Sequence, residues 1–149
     1  RKHPLLRALR LDKLAIAALE ATLLSYVRGR PEQELPIWQM ISAKPDELKA
    51  RATTLAKQFR TAGHKVDVVA CESAVGGGSL PGELLPSWAI ALTGPPDPLH
   101  EKLRHGEPPV IGRIVADQLL LDLRTIRAGE DTALLEATLA ALSNYLKTC

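Results

Sequence analysis

Val66-Asp-Val-Val-Ala-Cys71 is the stretch on which the fold turns. Val66, Val68 and Ala70 alternate with Asp67, Val69 and Cys71, the period of two that sends successive side chains to opposite faces of a strand. Upstream of it the apolar residues keep a helical period. Leu11, Leu14, Ala18, Thr22 and Tyr26 predict a long helix from Leu11 to about Arg28, which Gly29 ends and Pro31 keeps from resuming. Residues 29–36 form a polar connection, and Ile37, Trp38 and Met40 predict a short buried helical turn. Ser42 to Asp46 then leads into a second amphipathic helix, with Leu48, Ala52, Leu55 and Phe59 on one side, Pro45 at its first position and Gly63 at its close.

Downstream of Cys71 the strand period returns. Trp88 to Thr93 reads as a second apolar strand, broken by Gly94-Pro-Pro, after which Asp97 is placed to cap a short helix through Arg104. Val110–Val115 and Gln118–Leu123 read as a hairpin about Ala116-Asp117, a turn without the preferred Asn-Gly chemistry. Asp131 to Lys147 is a closing helix with Leu135, Leu139, Leu142 and Leu146 on its buried side. The resulting order predicts an α+β class: a small, mostly antiparallel sheet covered by helices on one face, preceded by a long connecting helix. Residues 1–30 form that connector and 31–149 the small domain.

Composition narrows the function classes. A chain of 149 residues, 46% hydrophobic, holds one domain with a real core, and with 3% aromatics the packing falls to Leu, Ala, Ile and Val. Nineteen Lys and Arg against 17 Asp and Glu leave a formal charge of +2, so an anion site requires local clustering. That clustering is at the start: Arg1, Lys2, Arg7, Arg10 and Lys13. Two cysteines, Cys71 and Cys149, make no disulfide framework and fit a reducing, cytoplasmic setting. No apolar run approaches the ~20 residues that span a bilayer. The chain opens on Arg1 and reads as the C-terminal part of something longer.

Four constellations carry possible chemistry. Arg7 and Arg10, three apart, fall on one helical turn and offer two guanidinium forks to a phosphate-like anion; the plainer reading is a solvated basic face. Gly76-Gly-Gly-Ser-Leu-Pro-Gly82 matches neither the P-loop nor the dinucleotide fingerprint; it is either a flexible connection or a mobile loop at a site, with Gly76, Gly77 and Gly78 its freest residues. Asp122 and Arg124, two apart on one strand face, read as a surface ion pair contributing little, and Arg113 has a weaker claim on a substrate. His3, His64, His100 and His105 have no ligand spacing, so no metal site is expected, and no serine has a triad pattern.

The run His3-Pro-Leu-Leu-Arg-Ala-Leu-Arg-Leu-Asp-Lys13 resembles the bacterial L-seryl-tRNA(Sec) selenium transferase family. So do Ala17-Ala-Leu-Glu-Ala-Thr22, Leu35-Pro-Ile-Trp38, Val75-Gly-Gly-Gly-Ser-Leu-Pro81, Leu85-Pro-Ser-Trp88, Pro108-Pro-Val-Ile-Gly-Arg-Ile114 and Leu120-Leu-Asp-Leu-Arg-Thr125, in the family's order. The resemblance implies the C-terminal small domain of a fold-type I pyridoxal 5'-phosphate enzyme, whose Schiff-base lysine lies upstream of Arg1, so that this segment alone lacks catalysis. It implies conversion of seryl-tRNA(Sec) to selenocysteyl-tRNA(Sec) with selenophosphate, through a dehydroalanyl intermediate. By the same resemblance Arg7 and Arg10 hold the selenium donor and the protein is a homo-oligomer built from dimers; the free Gly76–Gly78 loop is a candidate to admit the acyl-tRNA end. Seryl-tRNA carries no free α-carboxylate, so Arg113 and Arg124 are left out of the site. Two other readings stay open: a related pyridoxal-phosphate ammonia-lyase acting on a phosphorylated sugar acid, with Arg7 and Arg10 on its phosphate, and a non-catalytic anion- or RNA-binding module.

Overall fold

The computed structural model describes residue 5, residues 10–76 and residues 82–146, the last three as backbone only. The chain divides into two compact units, Arg1–Gln39 and Met40–Cys149.

The first unit is dominated by helix α1 (Lys13–Val27). It starts two residues later than the apolar period predicts, because the Asp12 side chain accepts the Ala15 N–H at 2.8 Å and caps the helix there. Arg10, outside regular secondary structure, precedes α1; Arg7, its partner in the expected helical turn, lies outside the described residues. Gly29, at φ +67°, ends α1 as expected: Arg30 N–H reaches Ser25 O and Gly29 N–H reaches Tyr26 O, the paired bonds of a Schellman motif. Two short helices follow, α2 (Pro31–Glu34) and α3 (Pro36–Ser42). Tyr26 and Trp38 meet edge to face at 6.5 Å, and the Trp38 indole N–H donates to the Tyr26 hydroxyl at 2.5 Å. Trp38 and Met40 are half-buried and Ile37 is exposed, so the turn expected to be buried is not. Within α1 only Ser25 is buried, while Leu14 and Val27 are each 82% exposed and Ile16, Leu19 and Leu23 more than half exposed.

The second unit is the α+β layer. Helix α4 (Pro45–Thr61) leads into β1 (Val66–Ala74) and β2 (Leu84–Leu92), then α5 (Pro96–Arg104), β3 (Arg113–Val115), β4 (Gln118–Asp122) and α6 (Asp131–Leu146). Two 3₁₀ turns, Leu123–Thr125 and Ala128–Glu130, join β4 to α6. The strands run β1-β2-β4-β3, antiparallel throughout. Val66, Ile90, Leu92, Leu119 and Leu121 point to the helix-covered face, where they pack with Leu48, Leu55 and Phe59 of α4, Leu99 and Leu103 of α5 and Leu134 and Leu142 of α6. Phe59, fully buried at the centre, contributes about 1.5–3 kcal/mol by removal from water. Arg51 of α4 holds the layer from outside, gripping the Asp131 carboxylate at 2.5 and 3.0 Å and the carbonyls of Leu123 and Ile126.

Three further readings shift. Asp97 caps nothing: α5 begins at Pro96, with Pro95 in the capping position and no side-chain bond. The buried stripe of α6 is Leu134, Thr138, Ala141 and Leu142, with Leu135 and Leu139 only half-buried. Strand β2 begins at Leu84, four residues before the apolar run, and so includes Pro86. β4 pairs with β2 only from Ala89 onward, so Pro86 stands where the strand has one neighbour, the place that tolerates a residue without an N–H. The hairpin forms as expected, on a two-residue turn with Ala116 at φ 48° and Asp117 at φ 58°.

Candidate functional site

The face of the sheet away from the helices is where polar chemistry collects. Cross-strand register puts Val69 beside Ala89, Cys71 beside Ser87, Ala89 beside Asp122, and Leu120 beside both Ala91 and Arg113. Directly paired residues share a face, so a small apolar cluster of Val69, Cys71, Ala89, Ala91 and Leu120 lies next to a polar one. Asp122 is the centre of that polar cluster. It is 8% exposed, and four donors reach it. Ser73 Oγ donates to Oδ2 and Ser87 Oγ to Oδ1, both at 2.6 Å; Arg113 Nη2 donates to Oδ2 at 3.3 Å and the Arg124 backbone N–H to Oδ1 at 3.1 Å. A carboxylate this buried persists only when its lone pairs are so occupied.

The expected surface ion pair between Asp122 and the Arg124 guanidinium does not form; only the Arg124 backbone N–H reaches that carboxylate. Arg124 is 5% exposed, and its guanidinium donates to four backbone carbonyls: Met40 (2.7 Å), Ile41 (3.2 Å), Ala43 (2.9 Å) and Pro86 (2.6 Å). Three of these lie at and just beyond the C-terminal end of α3, where carbonyls lack intrahelical partners and the helix dipole favours a cation. Arg124 is a structural clamp.

Arg113 is different. Its side chain is 40% exposed, and it borders a cavity of about 750 Å³. The cavity is walled by Ala74, Pro108–Gly112, Leu120, Thr125, Ile126, Ala133 and Leu134, with Ser73, Asp122 and Glu130 at its polar parts. Gly112 sits where β4 passes closest: a Cβ there meets Leu119 Cδ1 at 2.7 Å and Leu120 O at 3.0 Å. Arg113 Nε is buried and has no hydrogen-bond partner among the described residues. Glu130 is engaged by Arg127, which holds its carboxyl below the usual range chiefly through that hydrogen bond. Burial pushes the Cys71 thiol up, the nearby Asp122 charge adds to this, and hydrogen bonds from Arg113 and Ser87 oppose it. The arrangement offers one oriented guanidinium to one polar group in an otherwise apolar chamber.

Of the residues singled out from sequence, Arg7, Gly77 and Gly78 lie outside the described residues. Arg10 is exposed in the first unit. Gly76, at φ 150°, follows the end of β1, two residues past the cavity-lining Ala74. The Ser73, Ser87, Asp122 and Arg113 cluster escaped sequence reading. Each is polar on a strand, but only the β2–β4 pairing, which skips β3, brings them together. Among the described residues no group of His, Cys, Asp and Glu is placed to hold a metal, and no helix is long and apolar enough to cross a membrane.

A family model described as L-seryl-tRNA selenium transferase matches residues 1–127. The chain belongs to that family. A selenium transferase of Hyphomonas neptunium is 45% identical over 143 residues, covering 92% of this chain and 31% of the relative. One from Moorella thermoacetica is 42% identical over 147 residues (94% and 31%), and one from Aquifex aeolicus 37% over 146 residues (95% and 32%). Each bears the name L-seryl-tRNA(Sec) selenium transferase. The chain thus spans about a third of the length of the curated relatives it matches. The ordered sequence blocks from His3 to Thr125 fall within the family match.

Proposed function

We propose that this chain is the C-terminal third of a pyridoxal-phosphate-dependent transferase that converts seryl-tRNA(Sec) to selenocysteyl-tRNA(Sec) with selenophosphate as donor. The observation that carries this is the family match across residues 1–127. In this reading residues 1–30 connect to an upstream cofactor domain and 31–149 form the small domain. The apolar exposure of α1 supports such a connector, since a helix apolar around most of its surface is stable when neighbours cover it. The same exposed surface supports a homo-oligomer built from dimers. Two cysteines without a disulfide framework are in keeping with a cytoplasmic enzyme.

Pyridoxal phosphate does not fit the cavity beside Arg113. None of its lining residues is a lysine, and its one guanidinium already shares charge with Asp122. The cofactor belongs to the upstream part. What this chain contributes is cation placement. Selenophosphate is a small multiply charged anion, and Arg7 and Arg10 are its proposed holders, because two guanidinium groups three residues apart supply several N–H donors to one phosphorus centre. Arg10, exposed and outside the helix, is accessible to such an anion. Gly76, two residues past Ala74 at the end of β1, opens the glycine segment Gly76–Gly78 to which we assign admission of the bulky aminoacyl end.

The test is turnover by the full-length protein carrying this segment. With pyridoxal phosphate, seryl-tRNA(Sec) and radiolabelled selenophosphate, label should enter the tRNA as selenocysteine. Absence of label together with ammonia release from a phosphorylated sugar acid would move the protein to the lyase class.

A further inference from the structure

We infer that the exposed stripe of α4 formed by Lys49, Lys57 and Arg60, continued by Lys65, is a surface for the phosphate backbone of an RNA helix, an arm of the tRNA substrate. This rests on the tRNA reading above and gives it a contact surface. Leu48 to Val66 holds five Lys and Arg, together with His64, and no Asp or Glu in 19 residues. At 17 acids in 149 residues such a stretch would carry about two. A merely solvated helix face mixes the two signs, as α5 does with Asp97, Glu101, Lys102 and Arg104.

Helical spacing gathers these charges. Lys49, Lys57 and Arg60 fall on one side of α4, clear of the buried Leu48, Leu55 and Phe59, and Lys49 and Lys57 stand about 12 Å apart along its axis. Arg51 is engaged elsewhere, by Asp131. Among the described residues none of Lys49, Lys57, Arg60 and Lys65 makes an ion pair. Two of them are held in place by uncharged groups. Lys49 Nζ lies 4.6 Å from the centroid of the Trp88 ring, and Arg60 donates to the Val66 carbonyl at 2.7 and 3.2 Å. Both keep an unneutralised charge at a fixed position. The helix dipole accounts for Arg60 in the last turn, but not for Lys49 and Lys57 inside the helix. Beyond the helix the charge runs into a recess of about 380 Å³ lined by Arg60, His64, Lys65 and Thr93, with Asp67 its one acid. Trp88 has a ring face taken by Lys49 and Phe59 is fully buried, so the stripe offers cations and no stacking platform. Such contacts go to phosphates and read no base.

The test is binding of fluorescently labelled tRNA(Sec) to the full-length protein, followed by anisotropy between about 0.05 and 0.3 M salt. Lys57→Gln with Lys65→Gln, both exposed, should weaken binding at least about tenfold at about 0.1 M salt and lower the log–log salt slope by about 1.5–2. Lys57→Arg with Lys65→Arg should keep the wild-type affinity and slope, since phosphate oxygens accept from either cation. Exposed Arg104→Gln should change neither. Lys57→Gln alone, with about half the effect on the slope, carries the test if the double variant does not fold. Unchanged affinity and slope in the folded glutamine variants, with tRNA(Sec) still bound, overturns the surface and leaves the transferase reading standing. Wild-type protein that binds no tRNA(Sec) overturns both. Loss of binding to phosphatidylserine vesicles with RNA affinity kept assigns the stripe to a membrane and overturns the RNA surface.

Discussion

Replacing Arg124 by methionine separates two accounts of one residue by a wide margin. Methionine has nearly the volume and stem of arginine, so packing is largely kept while every donor is removed. Four carbonyls, those of Met40, Ile41, Ala43 and Pro86, then lose a charged partner that sits 2.6–3.2 Å away. Hydrogen bonds to charged groups are each worth about 1.5–3 kcal/mol. The sum is not additive, because the carbonyls of half-buried Met40, Ile41 and Ala43 regain some water. The expected loss is therefore about 3–5 kcal/mol, the range for removing one partner of a buried charged contact. In a chain of this size that lowers the melting temperature by about 10 °C. Arg124→Lys, whose single ammonium reaches fewer of the four acceptors, should fall between wild type and Arg124→Met. Urea unfolding followed by circular dichroism and by tryptophan fluorescence measures the difference. A loss below about 1 kcal/mol for Arg124→Met is the size of a surface ion pair and would refute the clamp.

Gly112→Ala places a methyl 3.0 Å from the Leu120 carbonyl and 2.7 Å from Leu119, so it should destabilise by about 1–3 kcal/mol and change phenylglyoxal labelling at the neighbouring Arg113. Iodoacetamide should alkylate Cys71 with a pH midpoint above that of a free thiol, because the protonated form is favoured; Asp122→Asn should lower that midpoint and Arg113→Ala raise it. The Ala116→Asn, Asp117→Gly pair puts residues suited to positive φ where φ is 48° and 58°, and should stabilise by about 1 kcal/mol in urea unfolding.

The elements of the fold were legible where one physical rule dominates. Gly29 and Gly63 end helices because their positive φ lets the following N–H groups turn back on the last carbonyls, and the strand at Val66 announces itself by alternation. The Ala116-Asp117 turn formed despite poor turn residues, because Leu119 and Leu121 gain a core only if β4 reverses there. What stayed hidden depends on which strands become neighbours. Asp122 and Arg124 look like a local pair two residues apart, yet Asp122 faces Ser73 and Ser87, 49 and 35 residues away in sequence, and Arg124 reaches back to α3. No local period carries that information. The stripe of α6 was displaced by about one position for a related reason: the apolar run offers several faces, and packing against α4 and α5 selects among them. Arg7 and Arg10 stand out by their spacing as an anion site, whereas their assignment to the selenium donor comes from the family resemblance.

A direct test of that assignment splits the reaction into its halves. In the full-length protein with Arg7→Ala and Arg10→Ala together, water loss from seryl-tRNA(Sec) is followed separately from selenium incorporation, with pyridoxal phosphate and selenophosphate present. The account predicts that elimination continues while selenocysteyl-tRNA formation falls by at least about a hundredfold, the effect of withdrawing charge-assisted contacts from an anionic donor. Selenium incorporation at the wild-type rate in the double variant would contradict it.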